Sequence, residues 1–280
     1  MRLGGPVFLD TQDPAALAGE CRRLGYRAAY CPDFVSLHDQ AGMQASRQAF
    51  EAYDVAIAEV GAWCNPLDPR PEVAEKNIQY ITERLALADE VGARCCVNIV
   101  GSRSTENWYA PHADNYTQET FDLTVELARR IVDTVKPRRT RYTFEVMPFN
   151  FLDSAQAYLD LIRAIDREAV GVHLDPVNCI HSPRLYFNNA QVIQESFRLL
   201  GPWIASCHAK DLRLNPEPYN TRLDEVRPGL GALDYRAFLR EAAALPQDVP
   251  IMLEHLATQQ EYAASAAYIR GVAQELGLAL

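Results

Sequence analysis

The sequence predicts an α/β fold closed as a (β/α)8 TIM barrel. Three observations point to it. Short apolar runs rich in β-forming residues alternate with longer helix-like runs along the whole chain. Eight such pairs fit into 280 residues, a usual size for one α/β barrel. The last four strand-like runs each end on an ionisable residue, and an eight-stranded barrel gathers strand ends at one mouth.

GPVFLD at 5–10 reads as the first strand. A helix follows over 14–24, with Pro14 in its first turn, where a missing N–H costs nothing. YRAAYC at 26–31 is the second strand and 44–59 the helix after it. VGAWC at 60–64 precedes a long helix over 72–91. ARCCVNIV at 93–100 leads through a loop to a helix over 117–135. YTFEV at 142–146 is paired with a helix over 154–165, and VGVHLD at 170–175 with 189–200. WIASCHAK at 203–210 precedes a longer loop and a helix over 235–244. PIMLEHL at 250–256 and a helix over 260–276 close the series. Strands separated by helices pair in parallel, because a parallel neighbour needs a crossover. One domain over 1–280 is expected, with no linker, low-complexity tract or glycine-rich phosphate loop.

Hydrophobic residues make up 48% and charged residues 23%, enough for a sizeable core. The net charge of −10 argues against a nucleic-acid partner, which would favour a basic face. Seven cysteines, an odd count without CxxC pairs, read as reduced thiols. Cys95 and Cys96 are adjacent, so at most one of them faces the barrel interior. MRLGGPVFLD lacks the features of a signal peptide, and no apolar run is long enough to span a membrane. A cytoplasmic enzyme is the expectation.

The four strand-end residues are Glu145, Asp175, His208 and Glu254. An ionisable group at the end of a buried strand is costly unless paired, hydrogen-bonded or bound to a metal. Two Glu, one Asp and one His are hard and borderline donors suited to a divalent ion. Parity agrees, since alternate strand residues share a face. Thr143 and Glu145 point one way, as do His173 and Asp175. Ser206, His208 and Lys210 form another such set, and Met252 and Glu254 a fourth. His173, one layer deeper, reads as a hydrogen-bonded core residue. His255, of opposite parity to Glu254, reads as a supporting contact.

These residues resemble a known family. FEVMP around Glu145, GVHLDPVN around Asp175, CHAKD around His208, RPGLGALDY at 227–235 and LEH at Glu254 are similar to the xylose-isomerase-like TIM barrels. This is the sugar phosphate isomerase/epimerase superfamily, and the likeness covers nearly the whole chain. It implies that Glu145, Asp175, His208 and Glu254 hold a divalent ion: manganese first, with magnesium, cobalt or zinc as alternatives. It also implies a homo-oligomer, a dimer or tetramer. Two positions depart from the superfamily's ketose 3-epimerases. Those carry a His three residues after the strand-six Asp, where this chain has Asn178. They carry an Arg six residues after the strand-seven His, where this chain has Leu214 beside Arg213.

The reaction expected is isomerisation or epimerisation of a small carbohydrate. A divalent ion acts as a Lewis acid on a carbonyl and lowers the cost of removing the neighbouring proton. Glu145 and Glu254 are the candidate acid/base groups. The resulting enediolate gives an epimer, an isomer or, by loss of a β-hydroxyl, a dehydrated product. A lyase of inosose, dehydroshikimate or 3-keto-glycoside type is therefore the alternative, and Asn178 and Leu214 favour it. A type IV apurinic endonuclease shares the fold, but its trinuclear zinc site is rich in His and this chain has six His in all. Expected substrate contacts are Asn178, Lys210, Arg103, His112, Trp63 and His38. Arg103 and His112 lie in the long loop after strand four, which reads as an active-site lid.

Overall fold

The computed structural model describes residues 1–217 and 219–280. Its centre is a closed barrel of eight parallel strands. In chain order these are β1 (Arg2–Gly4), β2 (Ala28–Tyr30), β3 (Ala56–Gly61), β4 (Cys95–Asn98), β5 (Arg141–Glu145), β6 (Val170–Leu174), β7 (Ile204–Ala209) and β10 (Pro250–Leu253). Between β7 and β10 an antiparallel hairpin, β8 (Asp211–Asn215) and β9 (Arg222–Val226), stands apart from the barrel. Closure runs through β1, which pairs with β10 on one side and β2 on the other.

Helices between the strands cover the outside, as expected. They are α1 (Pro14–Arg23), α2 (Gln40–Ala52), α3 (Pro71–Val91), α4 (Gln118–Val135), α5 (Ala155–Ile165), α6 (Pro183–Phe187), α7 (Asn189–Leu200), α8 (Tyr235–Ala244) and α9 (Gln259–Glu275). Most begin on a capping side chain that accepts an otherwise orphaned N–H: Asp13, Thr117, Ser154, Asp234 and Thr258 do this for α1, α4, α5, α8 and α9. Their apolar faces join outward-facing strand residues such as Val60, Cys96, Phe144 and Val172 in one buried core. Ala28, Ala58 and Met252 form a separate small cluster, with Tyr30 packed against it.

Three expectations need correction. The first strand is 2–4, not 5–10, because pairing with Pro250–Met252 fixes it there. The helix expected over 44–59 ends at Ala52, and the third strand starts at Ala56 rather than at 60. The segment AIAE is built of helix-favouring residues, and only pairing on both sides makes it a strand. The long loop after β7 contains the β8–β9 hairpin, which was not anticipated.

The correction in β3 matters for the site. Ala29 pairs with Ile57, but Tyr30 pairs with Glu59, so Ala58 is an extra residue on β3. Such a bulge re-aims the side chain that follows it. Glu59 then pairs with Cys95, whose neighbour Cys96 joins the outer core. All seven cysteines are free thiols. Among the described residues no helix is long and apolar enough to cross a membrane.

Candidate active site

Glu145 is the last residue of β5, Asp175 follows β6, His208 is near the end of β7 and Glu254 follows β10. The barrel brings all four to its C-terminal mouth, where one ligand atom from each lies within 4.8 Å of the others. Glu145, Asp175 and His208 are buried, and the Glu254 side chain is 13% exposed. His208 Nδ1 is 2.8 Å from Glu254 Oε1, 3.1 Å from Glu145 Oε1 and 4.0 Å from Asp175 Oδ2.

Local devices hold these groups. Tyr158 on α5 inserts its hydroxyl between β5 and β6. It takes N–H from Phe144 (2.8 Å) and His173 (3.3 Å) and returns its hydrogen to the Phe144 carbonyl. Asp175 Oδ1 accepts the amides of Val177 and Asn178, closing a turn just beyond β6. His255 adopts φ +58°, a conformation uncommon outside glycine, in the turn that follows Glu254. Its ring meets Glu225 on β9 at 3.1 Å and Glu254 Oε2 at 3.5 Å.

Lys210 sits in the same cluster. Its Nζ is 2.5 Å from Glu254 Oε1, 2.8 Å from Asp175 Oδ2 and 3.3 Å from Glu145 Oε1. Asn178 Nδ2 donates to Glu145 Oε1 at 3.0 Å. Burial alone would raise the Glu145 carboxyl, but His208 and Lys210 outweigh it and hold it at about 2. Glu254 is likewise held below its ordinary value, burial being outweighed by His208 and Lys210. Burial opposes charge on His208 and Lys210 too, yet the surrounding carboxylates raise both.

A divalent ion fits this donor set. With His208 neutral, as a metal ligand must be, three carboxylates facing one ammonium leave two negative charges that one divalent cation balances. Asp175 Oδ2 and Glu254 Oε1 are buried and make no hydrogen bond, although Lys210 is within ion-pair distance of both. Buried carboxylate oxygens of this kind are stabilised by a cation that accepts coordination from several directions.

Above the cluster opens a cavity of about 1110 Å³. Glu145, Glu254, Lys210 and Asn178 form its polar end, while Leu9, Trp63, Tyr80, Trp108 and Tyr109 line other walls. Each of those five apolar side chains is more than a third exposed. The Trp63 indole lies against Gly61, where a Cβ would meet its Nε1 at 2.5 Å, so only glycine leaves room for it. Trp108 and Tyr109 pack edge to face at 5.1 Å.

Residues 18–272 match the xylose isomerase-like TIM barrel family. The chain belongs to that family. No curated protein sequence matches it. Solved structures of the same fold include D-psicose 3-epimerase from Clostridium cellulolyticum, with 14% identity, TM-score 0.69 and coverage of 97% of this chain and 99% of that one. The probable 3-DHS dehydratase AsbF from Bacillus anthracis is also 14% identical, with TM-score 0.69 and coverage of 96% and 97%. Endonuclease IV from Thermus thermophilus is 16% identical, with TM-score 0.70 and coverage of 98% and 100%. Likeness at this level establishes the barrel, and three different activities share it.

Of the six expected substrate contacts, Asn178, Lys210 and Trp63 line the cavity. Arg103, His112 and His38 are not among its lining residues. The Arg103 side chain turns toward the Leu67 carbonyl, 3.5 Å away. His112 accepts the Asp114 amide at the start of the 3-10 turn Ala113–Tyr116. The His38 amide donates to Ser36 in a tight turn before α2. The loop after β4 instead sends Trp108 and Tyr109 into the cavity. It is stapled by Asn115, which receives the Arg103 amide and donates to the carbonyls of Ala110 and Phe149.

One residue of the site was missed. Glu59 is 2% exposed and faces His173 Nε2 at 2.8 Å and His208 Nε2 at 3.3 Å. Burial pushes its carboxyl up, but the two imidazoles outweigh that and hold it well below its ordinary value. The bulge at Ala58 and the misread helix concealed it. A Glu within an apolar run bounded by Val55 and Val60 was the available signal.

Proposed function

We propose that the protein is a divalent-metal-dependent sugar isomerase or epimerase that removes a proton next to a carbonyl. The observation that carries this reading is the convergence of Glu145, Asp175, His208 and Glu254 beneath an open cavity on the catalytic face of the barrel. These four would hold the ion, manganese first, which when bound supplies Lewis-acid polarisation of the substrate carbonyl.

The chain's own groups divide the remaining work. Glu145 and Glu254 both line the cavity and are the acid/base pair of the proposal. Glu254 is the better-placed proton acceptor, because its side chain is the more open of the two, 13% exposed against 7%, and Asn178 donates to Glu145 as well. Lys210 holds the carboxylates in their charged form and offers an ammonium hydrogen to a developing oxyanion. Asn178 orients Glu145. Trp63, Trp108 and Tyr109 offer aromatic faces to the apolar side of a sugar ring and shield it from water.

A second reading, a lyase acting on the same kind of carbonyl, is favoured by Asn178. Its amide carries no transferable proton, so the site has an amide where the 3-epimerases have an imidazole. A panel of ketoses, ketoglycosides and cyclitol ketones incubated with manganese-loaded protein, read by NMR, separates the two. An epimer or isomer supports the proposal, an unsaturated product supports the lyase, and neither product with any substrate refutes both.

A further inference from the structure

Beneath the four converging residues lies a second buried group that the proposed reaction does not use. Glu59 accepts from His173 Nε2 at 2.8 Å, from His208 Nε2 at 3.3 Å and from Ser206 Oγ at 3.4 Å. A carboxylate only accepts, so the ring nitrogens that face it carry hydrogens. His208 Nδ1 faces Glu145 and Glu254; the hydrogen on that side is the one an ion held by those carboxylates would displace, while the Nε2 hydrogen stays on Glu59. We infer that Glu59 is a positioning residue that fixes His208 in its Nε2–H form, so that Nδ1 is the nitrogen presented to a metal ion. The inference rests on the ion-centre reading given above.

Three features support it. The β3 bulge at Ala58 brings Glu59 opposite Tyr30 and next to Cys95, on the side where the two imidazoles lie. A buried carboxylate at this place is otherwise a cost that an apolar side chain would avoid. His173 braces the arrangement from the side, its ring packing at 4.0 Å and 68° against that of His208.

Glu59, His173 and His208 are also close enough to form an ion site by themselves. What separates the two clusters is hydrogen bonding. Asp175 Oδ2 and Glu254 Oε1 are left without a hydrogen bond, whereas Glu59 Oε1 meets His208 Nε2 and Glu59 Oε2 meets His173 Nε2 and Ser206 Oγ. The carboxylate is therefore a partner of the imidazoles, the arrangement that orients a metal-bound histidine and raises its basicity.

The full chain labelled with 15N at histidine tests this. Manganese affinity is measured calorimetrically for wild type, Glu59→Gln and Glu59→Leu, and the His208 tautomer is read by NMR on zinc-loaded samples. The expected result is a single Nε2–H form in wild type and an affinity loss of about 10- to 100-fold in Glu59→Leu. Glu59→Gln, which keeps one acceptor, should fall between them and decides the matter if the leucine variant does not fold. Unchanged affinity and an unchanged His208 tautomer in the variants overturn the inference alone. A wild type that binds two ions and loses one in the variants makes Glu59 a ligand instead and also overturns it. A wild type that binds no ion overturns the ion-centre reading first, and this inference with it.

Discussion

Lys210 Nζ lies 2.8 Å from Asp175 Oδ2, and both side chains are buried. The ammonium is thus a built-in counter-charge for the carboxylate cluster. Removing one partner of a buried ion pair costs about 3–5 kcal/mol, because the other charge is left uncompensated. Lys210→Met is therefore expected to lower the stability of chelator-treated protein by that order. Added manganese should restore much of the loss, since an ion that binds only the folded state stabilises it by mass action. Denaturant melts with and without manganese check this; equal losses in both conditions would count against it.

The pH response of metal-free protein has two limbs. Glu145 is held at about 2 instead of its ordinary 4.5, with burial opposed by His208 and Lys210. A lowered carboxyl contributes stability above its unfolded value, and that stability is lost as pH falls from about 4.5 toward 2. His208 is raised, so its contribution is complete below about 6.5 and is lost as pH rises through its folded value. Thermal melts across pH should show both limbs, with a shallower acid limb in Glu145→Gln. An acid limb unchanged by that substitution would assign it to other carboxylates.

Asp211 staples the segment between the hairpin and α8. Its carboxylate accepts the amides of Leu212, Gly229, Gly231 and Leu233 at 2.9–3.0 Å. A Cβ on Gly231 would meet Asp211 Oδ1 at 2.2 Å and the Leu212 carbonyl at 2.4 Å. Gly231→Ala and Asp211→Ala are each expected to cost at least about 2 kcal/mol, the scale of a buried polar group left unsatisfied. Losses near zero in urea unfolding would show that the segment is not held this way.

Trp63 and Trp108 line the cavity. Their replacement by Ala should raise KM and leave kcat nearly unchanged, the signature of binding that is uniform between ground and transition states. A fall in kcat with constant KM would place them closer to the reacting atoms.

Much of this was legible in the sequence because the barrel repeats one simple pattern. The helices 189–200 and 235–244 coincide with α7 and α8, since their periodic apolar faces are bounded by turn and capping residues. The strand-end positions of Glu145, Asp175, His208 and Glu254 were readable because each closes an apolar run. Glu59 was not. Ala56, Ala58 and Glu59 favour helix locally, and the bulge that turns Glu59 inward depends on pairing with β2 and β4. Arg103, His112 and His38 were placed by loop position alone, and loop backbone direction is set by contacts such as those of Asn115, which periodicity does not encode.

The most direct test of proton removal at this centre is solvent exchange. Wild type, Glu145→Gln and Glu254→Gln, each loaded with manganese or treated with chelator, are incubated in D₂O with the ketose panel, and the recovered sugars are analysed for deuterium next to the carbonyl. Proton removal by Glu254 at an ion centre predicts exchange in manganese-loaded wild type, its loss on chelation, and its near abolition in Glu254→Gln. Exchange that persists without metal or in the Glu254 variant, or no exchange with any substrate of the panel, would contradict it.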